Sequence, residues 1–285
     1  VSEYRSARLI SQEPDTHEAI DGLFVGAAVR FCMIYEVAAI GLVVHTFPSL
    51  AMALKSRWAL VATSLAMLAA LRARGVNPEY VIGHSVGEFA AIAAARSVGV
   101  VETIALVRER GLAMAEAAKE RPGSMAAILG LDDEVVERLC RRIFGVWPAN
   151  YNCPGQIVVS GENEAVDELC AKASEEGARR TVKLKVSGAF HSPLVARAAE
   201  RLRPAVESVK FGEPQAAFMS TVTARFEDAQ RMGSLLVDQL TAPVRYTQAA
   251  SELVRDGVKT FVEVGPGNVL SGLMKRIDRS VKTIP

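Results

Sequence analysis

Cysteine is scarce in this sequence, and neither sign of charge dominates. The 285 residues include four cysteines without a Cys-x-x-Cys pair or an even spacing, which predicts thiols in a reducing compartment rather than a disulfide framework. The 33 basic and 32 acidic residues give a net charge of +1, so the charge pattern indicates neither nucleic acid nor an anionic membrane as a partner. The cysteines are Cys32, Cys140, Cys153 and Cys170.

Long apolar runs and a leader segment are also lacking. The first 20 residues carry charges of both signs and no long apolar run, so we expect no signal peptide. The stretch over residues 24–47 is apolar, but Arg30, Glu36 and His45 interrupt it, and a membrane-spanning helix is therefore not predicted. Half of the residues are hydrophobic, which is enough for a sizeable core. Together these features predict a cytoplasmic protein.

The most informative stretch is a glycine-flanked serine turn, Gly83-His84-Ser85-Val86-Gly87-Glu88. It follows the apolar run 80–82 and precedes the alanine-rich run 89–96, which is the order strand, tight turn, helix. In this context Gly-x-Ser-x-Gly holds a serine on a strained corner, and the helix N-terminus offers N–H groups to an oxyanion. The motif therefore predicts Ser85 as a nucleophile, with a capping serine in an ordinary strand-to-helix turn as the alternative.

The alternation of helices and strands predicts an α/β fold that contains an insertion. Residues 121–188 have the order β-α-β-β-α-β, which is that of a ferredoxin-like unit, and α/β patterning resumes after them. We expect residues 1–120 and 189–285 to form a large α/β subdomain with a parallel sheet, which carries the serine turn. The elements predicted for the insertion are strands over 124–130, 146–151, 156–160 and 180–186 and helices over 132–142 and 163–176.

Outside the insertion, the sequence predicts further helices and two more strands. Residues 1–57 fit no clean alternation of strand and helix. The helices are predicted over 58–74, 101–120, 194–209, 234–240, 246–256 and 269–276, and the strands over 217–220 and 260–264.

A serine nucleophile needs a base, and the chain offers four histidines. His17 and His45 lie in the N-terminal stretch without a clear pattern, and the side chain of His84 is expected to point away from Ser85 on a tight turn. His191 lies at the junction between the predicted insertion and a following helix, where clefts form. We therefore predict His191 as the base; a histidine that caps the next helix is the alternative.

Four motifs, in this order, resemble those of malonyl-CoA:acyl-carrier-protein transacylases and of the acyltransferase domains of polyketide synthases. They are Gly-His-Ser-Val-Gly-Glu at 83–88, Asn-Cys-Pro-Gly-Gln at 152–156, Gly-Ala-Phe-His-Ser-Pro-Leu at 188–194 and Val-Glu-Val-Gly-Pro-Gly at 262–267. The resemblance covers roughly residues 56–285. It implies a hydrolase-like α/β large subdomain with an inserted ferredoxin-like small one, in agreement with the pattern above.

The resemblance also implies roles for individual residues. Ser85 matches the nucleophile of the family and His191 its histidine, while Val86 matches an oxyanion donor through its backbone N–H. Gln239 matches the position whose backbone carbonyl orients the histidine in place of an aspartate. Arg110 matches the arginine that pairs with the malonyl carboxylate, although without the resemblance a surface arginine on a polar helix face would be the simpler interpretation.

Three further expectations concern the substrate. A guanidinium offers a planar, bidentate fork to a carboxylate, so Arg110 would select carboxyacyl groups. Phe190 and Val86 resemble the residues of members that select malonyl over methylmalonyl groups, and Asn152 is expected to line the substrate site. Malonyl-CoA is the expected substrate, and neither a metal nor a bound cofactor is predicted.

The sequence departs from the family at its start. Family members open with a strand and a Pro-Gly-Gln-Gly-Ser-Gln loop that gives a second oxyanion donor, and residues 1–57 contain no such string. Arg57 stands where a site-lining glutamine is expected. A diverged loop with another donor, a degenerate homologue and an altered N-terminal sequence all account for this difference.

The function implied by the resemblance is transfer of a malonyl group from malonyl-CoA to the phosphopantetheine thiol of acyl carrier protein. The transfer would proceed through a malonyl ester of Ser85, in fatty acid or polyketide synthesis. The alternatives are a serine esterase or lysophospholipase and a catalytically weakened homologue that binds carrier protein. We expect acyl carrier protein and malonyl-CoA as partners, no nucleic acid or membrane, and a monomer.

Overall fold

A six-stranded, mainly parallel sheet forms the larger part of the fold. The computed structural model describes residues 31–35 and 57–285. In this sheet the strand order is β10-β9-β1-β2-β7-β8, and only the pair β7–β8 is antiparallel. The strands are β1 (Phe31–Tyr35), β2 (Tyr80–Gly83), β7 (Ala217–Ser220), β8 (Arg225–Glu227), β9 (Thr260–Glu263) and β10 (Lys282–Ile284).

Helices surround this sheet and supply most of the core. The helix over Gly87–Ala94 is completely buried, and the two longest helices, Arg57–Ala73 and Val100–Glu120, pack their apolar faces against it. The helices outside the second sheet are α1 (Arg57–Ala73), α2 (Gly87–Ala94), α3 (Val100–Glu120), α6 (Ala196–Glu207), α7 (Ala229–Asp238), α8 (Tyr246–Arg255) and α9 (Val269–Ile277).

The second sheet is antiparallel and has the topology of a ferredoxin-like unit. Its strands lie in the order β4-β5-β3-β6, and two helices follow its first and third strands in the chain. The prediction of a ferredoxin-like insertion in an α/β fold is therefore confirmed, while the boundaries at residues 121 and 188 remain a prediction. The elements are β3 (Ser124–Leu129), α4 (Asp133–Arg142), β4 (Val146–Cys153), β5 (Gln156–Gly161), α5 (Asn163–Glu175) and β6 (Arg180–Lys183).

The two sheets are joined next to the segment that follows α7. The backbone N–H of Tyr151 in β4 donates to the carbonyl of Val244 at 2.8 Å, and the N–H of Val244 donates to the carbonyl of Ala149 at 2.8 Å. This ladder fixes the position of the chain just after Gln239. The second sheet is therefore attached to the same segment that enters the site described below.

Several sequence expectations need correction at the ends of elements. The run 31–35 forms strand β1 between β2 and β9, although the sequence predicted no strand there, because a strand buried on both faces is uniformly apolar and shows no alternation. The strand predicted over 180–186 ends at Lys183, and the helix predicted over 194–209 starts as a 3₁₀ turn at Pro193–Val195. The short strands β8 and β10 were missed because three residues carry too little pattern.

The expectations about the N-terminal stretch fall outside the described ranges. They concern the altered oxyanion loop, His17, His45, the apolar stretch 24–47 and the side chain of Arg57. Among the helices of the described ranges, none combines the length and the apolar character that crossing a bilayer requires.

The turn between β2 and α2 brings two glycines into contact. A Cβ atom on Gly83 would lie 2.1 Å from the carbonyl carbon of Gly87 and 2.2 Å from the amide nitrogen of Glu88. Both of these are backbone atoms and cannot rotate away. The strand and the helix therefore approach this closely only because residue 83 has no side chain.

Gly83→Ala is expected to lower the free energy of unfolding by about 3 kcal/mol, since the added methyl group overlaps backbone atoms. Gly272→Ala is the matched control: a Cβ there meets no described atom within 4 Å. In the interior of α9 it should raise the free energy of unfolding by about 0.5–1 kcal/mol. Urea unfolding of both variants measures the difference, and equal stability of the two would contradict this account of the turn.

Candidate active site

Ser85 lies at the corner between β2 and α2. Its backbone is in the left-handed region, with φ of 56°, which is uncommon for a residue with a side chain and is a form of strain found at functional sites. The N–H groups of residues 87, 88 and 89 donate to the carbonyls of residues 84, 85 and 86. Among the residues that the structure describes, the N–H of Val86, the residue before α2, makes no such bond to a backbone carbonyl, and helix-start N–H groups of this kind can donate to an anion.

His191 contacts Ser85 directly, across 106 residues of sequence. Its Nε2 atom lies 2.8 Å from the Ser85 Oγ, and its Nδ1 atom lies 2.7 Å from the backbone carbonyl oxygen of Gln239. A carbonyl oxygen only accepts, so Nδ1 carries the proton and Nε2 of the neutral ring accepts from the serine hydroxyl. The backbone of His191 is also left-handed, with φ of 58°, and its N–H donates to Leu240.

Arg110 completes the group around the serine. It lies on the buried face of α3, in register with Leu106, Val107 and Ala113, and none of its surface is exposed. Its Nη2 donates to the Ser85 Oγ at 3.2 Å, and its guanidinium carbon lies 5.9 Å from the centre of the Phe89 ring. The alternative of a surface arginine is therefore wrong, and a permanent cation lies beside the serine hydroxyl.

Gln239 connects these groups through both its backbone and its side chain. Its carbonyl accepts from His191, and its side-chain Oε1 accepts from Arg110 Nη2 at 3.2 Å. The residue follows the last turn of α7 and is 1% exposed. One residue thus orients the imidazole and contacts the guanidinium.

Glu88, which the sequence reasoning did not single out, lies beneath this group. Its Oε2 accepts from Gln239 Nε2 at 2.8 Å, and its Oε1 accepts from Ser220 and from the backbone and hydroxyl of Thr221. Burial raises the pKa of Glu88 to about 7, against these hydrogen bonds and the charge of Arg110, which lower it. The available signal was a carboxylate in a helix whose other residues are all glycine, alanine, phenylalanine or isoleucine.

His84 and Asn152 form a separate pair beside the serine. The His84 Nε2 lies 2.9 Å from Asn152 Oδ1, and the His84 ring lies 5.5 Å from that of Tyr246. The side chain of His84 thus bonds to Asn152, and burial lowers its pKa. Asn152 is buried against His84, so its expected contact with substrate stays a prediction.

The structure brings together four of the seven residues predicted for the site through direct hydrogen bonds, namely Ser85, His191, Arg110 and Gln239. Val86 and Phe190 adjoin two of them in the chain and are buried, with 1% and 5% exposure. The four cysteines are free thiols. In the part of the chain that the structure covers, no group of three or more histidine, cysteine or acidic side chains is placed to hold a metal ion.

The fold and this geometry define an α/β protein with a serine–histidine site at a strand-to-helix turn, of the kind that handles acyl groups. The chain belongs to the acyl transferase domain family, whose model matches residues 38–285.

Relatives and solved structures agree with this assignment. A malonyl CoA-acyl carrier protein transacylase of Bacillus subtilis (strain 168) is 39% identical over 231 residues, which cover 79% of this chain and 73% of the relative. The crystal structure of MCAT from Streptococcus pneumoniae has a TM-score of 0.82 at 30% identity, over 89% of this chain and 95% of its own. PlMCAT, a malonyl-transacylase solved in complex with the type II PKS acyl-carrier protein AntF, has a TM-score of 0.81 at 31% identity, over 89% and 94%.

The buried carboxyl of Glu88 makes stability depend on pH. Because its pKa rises from 4.5 to about 7 on folding, its protonation contributes stability that is complete below about 4.5 and lost as the pH rises through about 7. The free energy of unfolding of the wild type, minus that of Glu88→Gln, should therefore fall across this interval in urea titrations. Glu109→Gln, on the exposed face of α3, is the control. A difference for Glu88→Gln that does not change with pH would contradict the burial of an ionisable group here.

Proposed function

We propose that this chain transfers a malonyl group from malonyl-CoA to the phosphopantetheine thiol of acyl carrier protein, through a malonyl ester of Ser85. One observation carries the proposal: the serine hydroxyl lies within hydrogen-bond distance of both a histidine and a buried arginine. A nucleophile with a base forms an acyl-enzyme, and a cation at the same atom fits an acyl group that ends in a carboxylate. Family membership and relatives named as transacylases support the same reaction.

In the first half-reaction, the Nε2 atom of His191 takes the Ser85 proton as the hydroxyl oxygen attacks the thioester carbonyl. The resulting oxyanion is held by the N–H of Val86 at the start of α2. The carbon–sulfur bond then breaks, the imidazolium returns its proton to the departing CoA thiolate, and the malonyl group remains as an ester on Ser85. The Gln239 carbonyl stabilises the protonated imidazole throughout through its bond to Nδ1–H.

In the second half-reaction, the same groups act in reverse. His191 takes the proton of the carrier-protein thiol, the thiolate attacks the ester carbonyl, and Ser85 leaves as an alkoxide that recovers the proton. PlMCAT was solved with an acyl-carrier protein bound, which supports such a partner for this chain. Every group of the proposed site comes from one chain, so a monomer suffices, and the four free thiols fit a reducing cytoplasm.

Arg110 supplies specificity in this scheme. The guanidinium is fully buried and its Nη2 lies beside the Ser85 hydroxyl, so the carboxylate of a malonyl group on Ser85 can form a charge-assisted hydrogen bond that a neutral acyl group lacks. Phe190 adjoins the base and the branched side chain of Val86 adjoins the nucleophile, and both are buried, which supports a preference for malonyl over the bulkier methylmalonyl group. Asn152 is proposed to contribute by holding His84 against the serine turn.

Mixing the protein with malonyl-CoA should add one malonyl group to Ser85, because the ester is the proposed intermediate. Intact-mass and peptide mass spectrometry detect the adduct, and Ser85→Ala is the control that cannot form it. Addition of carrier protein should then move the group to the carrier thiol. Absence of an adduct would favour a homologue that only binds carrier protein, and release of free malonate without transfer would favour a hydrolase.

Arg110→Ala should lower malonyl transfer about 100-fold or more while acetyl transfer is unchanged or improved, since only the malonyl group carries the carboxylate. Arg108→Ala is the matched control, because Arg108 lies on the exposed face of the same helix and pairs with Glu109. Steady-state kinetics with malonyl-CoA and acetyl-CoA measure both effects. An equal loss of both activities in Arg110→Ala would remove the arginine from this role.

A further inference from the structure

A fully buried carboxyl group that no step of the reaction uses lies three hydrogen bonds from the nucleophile. Glu88 Oε2 accepts from the Gln239 side chain, and the same side chain accepts from Arg110, which donates to the Ser85 Oγ. The three bonds form one continuous path from Glu88 to the serine. Glu88 has no exposed surface, and its carboxyl group bonds to the side chains of Gln239, Ser220 and Thr221 and to the Thr221 backbone rather than to the side chains of Ser85 or His191. The carboxyl group therefore acts on the reacting side chains through Gln239.

The side-chain amide of Gln239 lies between Glu88 and Arg110, and these two groups fix its orientation. Both carboxyl oxygens of Glu88 accept hydrogen bonds here, and a guanidinium donates only. The amide of Gln239 therefore turns its NH₂ group to Glu88 and its oxygen to Arg110, and the reversed orientation would oppose two acceptors at one end and two donors at the other. Because Oε1 of Glu88 is held by Ser220 and Thr221, the carboxylate cannot turn away.

The position of Gln239 affects both Arg110 and His191. Its side chain is the contact to Arg110, and its backbone carbonyl is the acceptor for His191 Nδ1 at 2.7 Å. A change in the position of this residue therefore displaces the cation and the base together. An error of about 1 Å in such positions lowers rates about 100-fold.

We propose that Glu88 is a positioning residue, which sets the direction of hydrogen bonding through Gln239 and so aligns both Arg110 and His191 on Ser85. This inference rests on the proposed malonyl transfer for its substrate, but its geometric part concerns the acylation of Ser85 by any donor. It also explains why the carboxylate stands one amide away from the guanidinium: a carboxylate at position 239 would occupy the surface of Arg110 that the malonyl carboxylate needs.

An exchange of the two side chains tests the proposal. In Glu88→Gln, the new NH₂ group faces Gln239, and one pair of donors is opposed whichever way Gln239 turns. In the double variant Glu88→Gln with Gln239→Glu, the amide at 88 donates to the carboxylate at 239, whose other oxygen accepts from Arg110. Every donor then meets an acceptor again and the net charge is that of the wild type, but the carboxylate now lies directly against the guanidinium.

Two acyl donors measure separately the alignment of the site on Ser85 and the access of the malonyl carboxylate to Arg110. With p-nitrophenyl acetate, a neutral donor, Glu88→Gln should acylate Ser85 about tenfold more slowly than the wild type, and the exchange variant should recover to within about threefold. With malonyl-CoA, both variants should be about 100-fold slower, for different reasons. In Glu88→Gln the opposed donors displace Arg110 and His191, and in the exchange variant the carboxylate at 239 competes with the substrate for Arg110. Glu109→Gln removes the same charge from the exposed face of α3 and controls for it.

Two results would overturn the proposal. One is a folded Glu88→Gln protein with wild-type rates for both donors, and the other is an exchange variant no faster than Glu88→Gln with the neutral donor. If Glu88→Gln alone does not fold, the exchange variant decides: regained acetylation supports the proposal, and an unfolded or unreactive protein contradicts it. Failure of malonyl transfer itself would appear as a wild type that reacts with p-nitrophenyl acetate but not with malonyl-CoA, and the acetate comparison would still test Glu88.

Discussion

The burial of one positive charge constrains the rest of this site. Arg110 has no exposed surface, and removing a cation from water costs several kcal/mol unless anions and hydrogen bonds replace the lost solvation. Gln239, the Ser85 hydroxyl and the Phe89 ring contact the guanidinium, and the carboxyl group of Glu88 lies behind Gln239. A cation kept in this state favours a ligand with a carboxylate, and the surrounding residues are arranged to hold it.

The fold explains how residues far apart in the chain converge on this cation. The strands β2 and β7 run parallel, so Ser85 and Thr221 follow their carboxyl ends at one edge of the sheet. Helix α2 starts at that edge and carries Glu88, while α3 brings Arg110 across from its apolar face. The ladder between β4 and Val244 then fixes the segment after Gln239, so the ferredoxin-like sheet contributes to the site without supplying a reacting group.

The sequence predicts the parts of the site that a short stretch of residues defines, and it does not reveal contacts between residues far apart in the chain. Ser85 follows from a short motif with its strand and helix, and His191 from a choice among four histidines and its place at a predicted junction. Arg110 and Gln239 came only from the family resemblance. Glu88 was missed because its partners Ser220, Thr221 and Gln239 lie more than 130 residues away, so only a carboxylate inside an apolar helix marked it. Strand β1 was missed because a uniformly apolar run does not reveal its period.

The central claim is that the buried guanidinium holds the carboxylate of the acyl group attached to the strained serine. A crystal structure of the protein trapped as its malonyl ester tests this claim most directly. The account predicts ester density on Ser85, with the carboxylate about 3 Å from the Arg110 nitrogens and the carbonyl oxygen about 3 Å from the Val86 nitrogen. An ester whose carboxylate extends into solvent, away from the Arg110 guanidinium, would contradict it.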